Sequence, residues 1–207
     1  EGDSGSIFRP SYEKFTDSYP KSIDKEFNVF FAGNTYAEQE LKTFIKALEK
    51  FALGSNIIVN FYLASHKSFF SNSNNLTINN LGWLTQKKLN EYMNKCHVAY
   101  LPYRSEPKFK HQMKYAFPGK SGFYISNNLP VFFHGPTYSS FNTFLKNYNV
   151  GVSCDSLDPD VLSSKIIEFV NSPSFYLNCQ KECKKSFNIK FSNEIFNESV
   201  VKFFDNK

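Results

Sequence analysis

From Phe27 onward, short apolar runs alternate with longer stretches of helical periodicity, and this alternation constrains the fold more than any other feature. Phe27 to Ala32 (FNVFFA) ends at Gly33-Asn34, which predicts a buried strand followed by a tight turn. Tyr36 to Leu53 carries Leu41, Phe44, Ile45, Leu48 and Phe51 at helical spacing, with Gly54 as the expected C-terminal cap. Ile57 to Leu63 and Leu76 to Leu81 are the next two strands, the latter ending at Gly82-Trp83. Thr85 is suited to cap a helix running to about Cys96. His97 to Leu101 is a fourth strand, stopped by Pro102, and an irregular basic stretch then runs from Tyr103 to Phe117. Lys120 to Asn128 reads as a short helix, Leu129 to Phe133 as a fifth strand, Ser139 to Tyr148 as a helix and Val150 to Ser153 as a sixth strand. Three helices close the chain: Asp158 to Val170 with Pro159 in its first turn, about Pro173 to Phe187, and Asn193 to Phe204.

Strands separated by helices of this length need crossover connections. The expected architecture is therefore a Rossmann-like α/β domain in three αβα layers, with a mostly parallel sheet of about six strands. Residues 1–26 are polar, with Gly2, Gly5, Pro10 and Pro20, and read as a linker or N-terminal arm; the domain proper is 27–207. In an open parallel sheet, ligands bind outside the carboxyl ends of the strands. Those ends are Gly33-Asn34, Leu63-Ala64, Gly82-Trp83, Leu101-Pro102-Tyr103 and Phe133-His134-Gly135.

Composition narrows the function classes. The net charge of +5 comes from basic residues spread along the chain, the densest group being Lys108, Lys110, Lys114 and Lys120. Without a longer basic run, a nucleic-acid partner is not expected, and a small anionic ligand or an anionic membrane surface suits the charge equally well. The aromatic share of 18% accompanies heavy use of Asn, Lys, Ile and Phe and reads as compositional bias. None of Cys96, Cys154, Cys179 and Cys183 forms a C-x-x-C pair, so no metal site is expected, and buried free thiols in a reducing cytoplasm are. No apolar run reaches the roughly 18 residues of a membrane span.

Two turns carry the candidate chemistry. Glycine at Gly33 lets backbone approach an anion at a helix N-terminus, although a lone glycine in such a turn is more often structural. This is no G-x-G-x-x-G motif. Phe117-Pro118-Gly119-Lys120-Ser121 is more informative, because a cation in a first helical turn opposes the helix dipole. Lys120 makes sense there if a phosphate shares the site; a solvated surface lysine is the plain alternative. Arg104, Lys108, Lys110, His111 and Lys114 precede this turn, with one or two expected to reach an anion. Trp83 suits stacking on a base as well as closing the core. His66, His97 and His134 lack metal-ligand spacing, and His97 reads as a strand residue with a satisfied ring.

The order of these pieces resembles the C-terminal domain of GT-B glycosyltransferases. The matching segments are Phe31-Ala32-Gly33-Asn34, Leu81-Gly82-Trp83-Leu84, Cys96 through Tyr103, Phe117-Pro118-Gly119-Lys120, and Tyr124 through Val131, with Gly151 and Phe191-Ser192 following in place. The resemblance covers about Phe27 to Phe204. It implies that the domain holds a nucleotide-diphosphate sugar as substrate, with no cofactor and no metal. Gly33 and Asn34 would then lie near the diphosphate, Trp83 and Leu84 at the base, and Lys120 on phosphate with Gly119 and Ser121 beside it. Tyr103 and Arg104 complete the implied donor site. The resemblance assigns no catalytic residue. Many relatives carry a Glu three residues past this lysine that holds the ribose hydroxyls; here that position is Phe123, which accepts no hydrogen bond. Relatives also often place Arg and Lys after the first turn, where this chain has Asn34 and Glu38.

The implied function is the donor-binding half of a sugar transferase of polysaccharide or glycan synthesis, in the cytoplasm or at the inner face of a membrane. An N-terminal acceptor domain of the same enzyme is the implied partner, and full activity is expected to need it. The alternative is a non-catalytic Rossmann-like binding module that has lost transferase activity, which Phe123 favours.

Overall fold

The computed structural model describes residues 10–17 and 22–205. Six strands form one sheet: β1 (Glu26–Ala32), β2 (Ile58–Ala64), β3 (Leu76–Asn80), β4 (Val98–Pro102), β5 (Val131–His134) and β6 (Gly151–Cys154). Their order is β3-β2-β1-β4-β5-β6, and every neighbouring pair runs parallel. The helices are α1 (Glu38–Gly54), α2 (Gln86–Met93), α3 (Lys110–Tyr115), α4 (Gly119–Ser126), α5 (Ser140–Tyr148), α6 (Pro159–Val170), α7 (Pro173–Lys190) and α8 (Asn193–Asp205). The expected Rossmann-like α/β class is therefore the observed one.

The apolar runs read as strands because both faces of the sheet are covered. Along β1, Phe27, Val29 and Phe31 join the cluster under α1 and α6, whereas Phe30 and Ala32 join the cluster under α4, α5 and α7. The helical stripe of α1 delivers Phe44 onto the first face, where its ring stacks on Tyr100 at 3.9 Å between centroids. The free thiols of Cys96, Cys179 and Cys183 are buried as expected, whereas Cys154 at the end of β6 is only half-buried.

Two local expectations change. Gly54 is the last helical residue of α1 rather than a left-handed cap, and Ser55 after it is extended. The basic stretch after β4 is not irregular throughout: a 3₁₀ turn (Pro107–Phe109) leads into α3, anchored inward by Met113. Met113 is the only buried residue of that helix, so its apolar periodicity is too sparse to read.

The strand order reverses between β1 and β4: β2 and β3 extend the sheet one way, β5 and β6 the other. A crevice forms at the carboxyl ends where the order reverses. The pairing shows how it opens. β1 pairs with β2 over its full length, but with β4 only at Val29↔Val98 and Phe30↔Ala99. Beyond that point the amide of Ala32 donates to the Tyr124 hydroxyl at 3.1 Å instead of to a strand. A ring from α4 thus takes over a backbone group that the separating strands leave free.

Among the described residues, the segment 10–17 lies against α4 and α7. The Tyr12 amide donates to the Phe191 carbonyl at 2.9 Å, and the Thr16 amide donates to the Ser126 carbonyl at 2.7 Å. Residues 18–21 and 1–9 lie outside the described part, and the expected arm is followed no further.

Candidate functional site

The crevice holds a cleft of about 150 Å³ lined by Phe31, Tyr36, Leu101, Pro102, Pro118, Gly119 and Lys120. Phe31 ends β1, Leu101 and Pro102 end β4, and the last three residues form the bend into α4. Bound small molecules usually occupy roughly 300–1,000 Å³, so this cleft fits the end of a ligand rather than all of it. A larger hollow near Glu49, Leu53 and Asn72 lies by the amino end of β3, on the wrong edge for a site of this fold.

Lys120 dominates the cleft electrostatically. Its Nζ lies 5.1 Å from the centre of the Phe31 ring, and the end of its side chain occupies the space in front of Gly33. Gly33 has φ of +111°, a conformation that glycine adopts without strain, and any Cβ there would overlap the Lys120 Nζ and Cε. Glycine thus serves both the turn and the close approach of the cation. Among the described residues Lys120 forms no salt bridge. Burial without a counter-charge pulls its pKa down to about 8. A partly desolvated ammonium without a carboxylate partner, set at the positive end of a helix dipole, favours an anion.

The N-terminus of α4 is open for this purpose. Pro118 occupies its N-cap position and provides no side-chain cap. Ser121 does not change that: its buried Oγ donates to the Pro118 carbonyl at 2.7 Å, and its amide donates to the same carbonyl at 3.0 Å.

The wall opposite is laced together by hydrogen bonds that the sequence does not reveal. The Tyr36 hydroxyl donates to the Pro102 carbonyl at 3.1 Å, and Arg104 Nε donates to the Tyr36 carbonyl at 2.6 Å. The Ser105 amide donates to Oε1 of Glu40, a carboxylate only 2% exposed, at 2.7 Å. These bonds join the turn after β1 to the loop after β4, with the Arg104 guanidinium over the Phe109 ring at 4.1 Å. Desolvation of the Tyr36 hydroxyl pushes its pKa up to about 12.

The candidate residues therefore separate into groups. Gly33, Gly119 and Lys120 meet at the cleft, with Arg104 behind Tyr36. Asn34 is exposed just beyond the turn. Tyr103 is buried beside the cleft, where its hydroxyl donates to the Ala116 carbonyl at 2.8 Å. Phe123 lies against the 10–17 segment, its ring 6.2 Å from that of Tyr12, whose hydroxyl donates to the Gly119 carbonyl at 3.2 Å. Trp83 and Leu84 follow β3, two strand spacings from β1, or about 10 Å. Trp83 is 68% exposed and stacks on His66 with ring centres 6.4 Å apart, so it does not close the core. Glu38 meets Lys42 at 2.7 Å and also pairs with Lys67, and hydrogen bonds from Lys42 and then Lys67 hold its carboxyl down to about 2. Its charge is thereby offset at the edge of the site.

His97 and His134 are both satisfied within the fold. The Asn28 amide donates to His97 Nδ1 at 2.9 Å. His134 Nε2 donates to the Ser156 carbonyl at 2.8 Å, which leaves Nδ1 to accept from the Tyr100 hydroxyl at 2.8 Å. No group of His, Cys, Asp and Glu among the described residues could hold a metal ion.

No protein-family model matches the chain, and no curated protein matches it in sequence. Solved structures do. WaaG, a glycosyltransferase involved in lipopolysaccharide biosynthesis, superposes with a TM-score of 0.67 at 10% identity, over 95% of this chain and 54% of that one. TarM superposes with a TM-score of 0.61 at 16% identity, over 92% of this chain. The fold is that of a GT-B glycosyltransferase domain. The catalytic domain of cholesterol-α-glucosyltransferase from Helicobacter pylori has the same fold, with a TM-score of 0.54 at 14% identity over 78% of this chain and 96% of that one. The chain spans only 38% of the length of TarM and 54% of WaaG. A further structure of TarM, from S. aureus, contains UDP. No described helix of this GT-B domain is long and apolar enough to cross a membrane.

Proposed function

We propose that this GT-B domain is the donor-binding half of a glycosyltransferase. It holds a nucleotide-diphosphate sugar with the diphosphate between the Gly33 turn and the N-terminus of α4. The observation that carries this reading is the half-buried ammonium of Lys120, without a salt bridge among the described residues and lodged against Gly33 at an uncapped helix N-terminus. A buried cation is costly unless a counter-charge arrives, and a diphosphate supplies one. UDP bound to a TarM of the same fold supports a nucleotide as the ligand class.

The small cleft fits the diphosphate, and the exposed face of Trp83, beyond the end of β3 on the same edge of the sheet, is available to a base. Gly119 and Lys120 offer amides and ammonium to phosphate, while Ser121 supports the turn from within. The sugar and its acceptor would face a second domain, the acceptor half of the same enzyme, acting in polysaccharide or glycan synthesis on the cytoplasmic side.

Phe123 favours a second reading, a binding module without transferase activity. Its ring packs on Tyr12 and offers no acceptor to a ribose. Calorimetric titration of the chain with UDP, GDP and ADP separates the two from an empty fold. Micromolar binding by one of them, lost in Lys120→Ala, supports the donor site; no binding by any of the three overturns it. Sugar transfer by the full-length enzyme then decides between transferase and inactive module.

A further inference from the structure

The segment from Arg104 to Lys120 holds five cations and one carboxylate, whereas the remainder of the chain holds 19 basic and 18 acidic residues. Nearly all of the net charge of +5 is therefore concentrated in this one segment. The fold places it at the cleft by both ends: Pro102, just before it, and Pro118, near its close, are cleft walls. The basic segment thus forms one rim of the cleft.

The middle of the rim is surface. Lys108, Lys110, His111, Gln112, Lys114 and Tyr115 are exposed, and Met113 anchors the helix beneath them. Lys110 and Lys114 lie one helical turn apart on the same side. Their ammonium groups sit beside aromatic rings, Lys110 5.6 Å from the centre of Tyr138 and Lys114 5.2 Å from that of Tyr115. Tyr115 is 63% exposed and Tyr138 is 37% exposed, so both retain open ring surface. The only carboxylate of the segment, Glu106, is engaged by Lys108 at 2.7 Å. The lower end is fixed, since the Ala116 carbonyl accepts from both Tyr103 and Ser140.

We infer that the α3 rim is a docking surface for an acidic glycan, the acceptor chain, whose repeated negative charges pair with Lys110 and Lys114 while sugar rings rest on Tyr115 and Tyr138. This inference rests on the donor-binding reading, because it supplies the acceptor class for the same site. The pairing of cations with open tyrosines favours a charged sugar chain over a bilayer. A helix that lies in a membrane surface presents an apolar face outward, and the one apolar anchor of α3 points into the fold. Each lysine near an anionic bilayer contributes about 1 kcal/mol, so Lys110 and Lys114 without an apolar face would hold one only weakly.

The test is a titration of the chain with dextran sulfate and with unsulfated dextran of equal length, repeated on Lys110→Glu/Lys114→Glu and on Lys87→Glu/Lys95→Glu. The second pair removes the same charge from the exposed surface of and just after α2, so it controls for net charge. The expected result is binding of dextran sulfate but not dextran, weakened at least tenfold by the α3 pair and less than twofold by the control. Equal weakening by both pairs would overturn the proposal, as would tighter α3-dependent binding of phosphatidylglycerol vesicles or of a DNA oligonucleotide. Titration of the same proteins with UDP, GDP and ADP keeps the two readings apart. Nucleotide binding that survives in the α3 pair shows an intact donor cleft, so a lost glycan signal is then local to the rim. Glycan binding with no nucleotide binding sinks the donor reading and, with it, the acceptor assignment.

Discussion

Helices α4 and α6 both begin at a proline-containing bend beside the same sheet, yet they begin in opposite ways. α6 is self-sufficient. The Asp158 side chain accepts from the Asp160 amide at 2.8 Å, Pro159 fills the first turn, and Asp160 adds a negative charge that favours the helix dipole. α4 has proline where the cap would stand, no capping side chain and a lysine in its first turn. One helix satisfies its own N-terminus and the other leaves it for something external. Side chains also cap α2 (Thr85) and α5 (Ser139), whereas α1, α3 and α7 lack a side-chain cap as α4 does, so what sets α4 apart is the desolvated Lys120 in its first turn.

The strongest way to break the comparison is Lys120→Met. If an anion completes α4, nucleoside diphosphate affinity should fall by about two orders of magnitude, roughly 3 kcal/mol. Thermal stability of the free chain at pH 7 should hold or rise, because a desolvated cation has been removed. Parallel losses of binding and melting temperature would mean the lysine is merely structural. Gly33→Ala comes next. Lys120 can swing aside, so backbone strain at φ of +111° sets the cost to stability, about 1–3 kcal/mol, and displacement of the ammonium also weakens nucleotide binding. Chemical denaturation and titration of the variant check both halves.

A pH series sharpens the picture at intermediate size. The free Lys120 pKa of about 8 lies below its unfolded value, so the charged form penalises the fold. That contribution to stability is greatest above the unfolded pKa, near 10.4, declines as pH falls toward 8, and is constant below it. Binding runs the other way. The anion prefers the protonated amine, so its affinity should be level below pH 8 and weaken by up to tenfold per unit above it. Calorimetry in two buffers at pH 8.5 should show proton uptake that Lys120→Met abolishes. Smaller still, Asp158→Ala should cost about 1 kcal/mol of stability and leave nucleotide binding untouched. The smallest effect is expected from Pro118→Ser, which provides a cap: a gain of about 0.5 kcal/mol at most, with weaker nucleotide binding because a hydroxyl competes for the amides.

The site was legible in the sequence only in part. Gly33, Gly119 and Lys120 could be marked because a glycine turn and a cation against a helix dipole are local violations of preference. Tyr36, Tyr124 and Glu40 carried no such mark. Their roles depend on β1 and β4 separating after two paired residues, a consequence of packing rather than of either strand's own sequence. α3 escaped notice because a six-residue helix with one inward side chain leaves no period to detect. Trp83 and Phe123 show the limit on side-chain direction. An aromatic residue just past a strand end or in the second turn of a helix suits a core or a ligand equally, and only the neighbours His66 and Tyr12 decide where each ring lies.

By itself, the sequence determined the alternation of strand and helix, since apolar period and turn residues act over a few neighbours, and with it a parallel sheet with helices on both faces. Tertiary structure alone decided where the strand order reverses, how far β1 and β4 part, and that the Lys120 amine loses water against Gly33. Desolvation is set by elements distant in the chain closing over one atom, and no local pattern encodes how closely they approach.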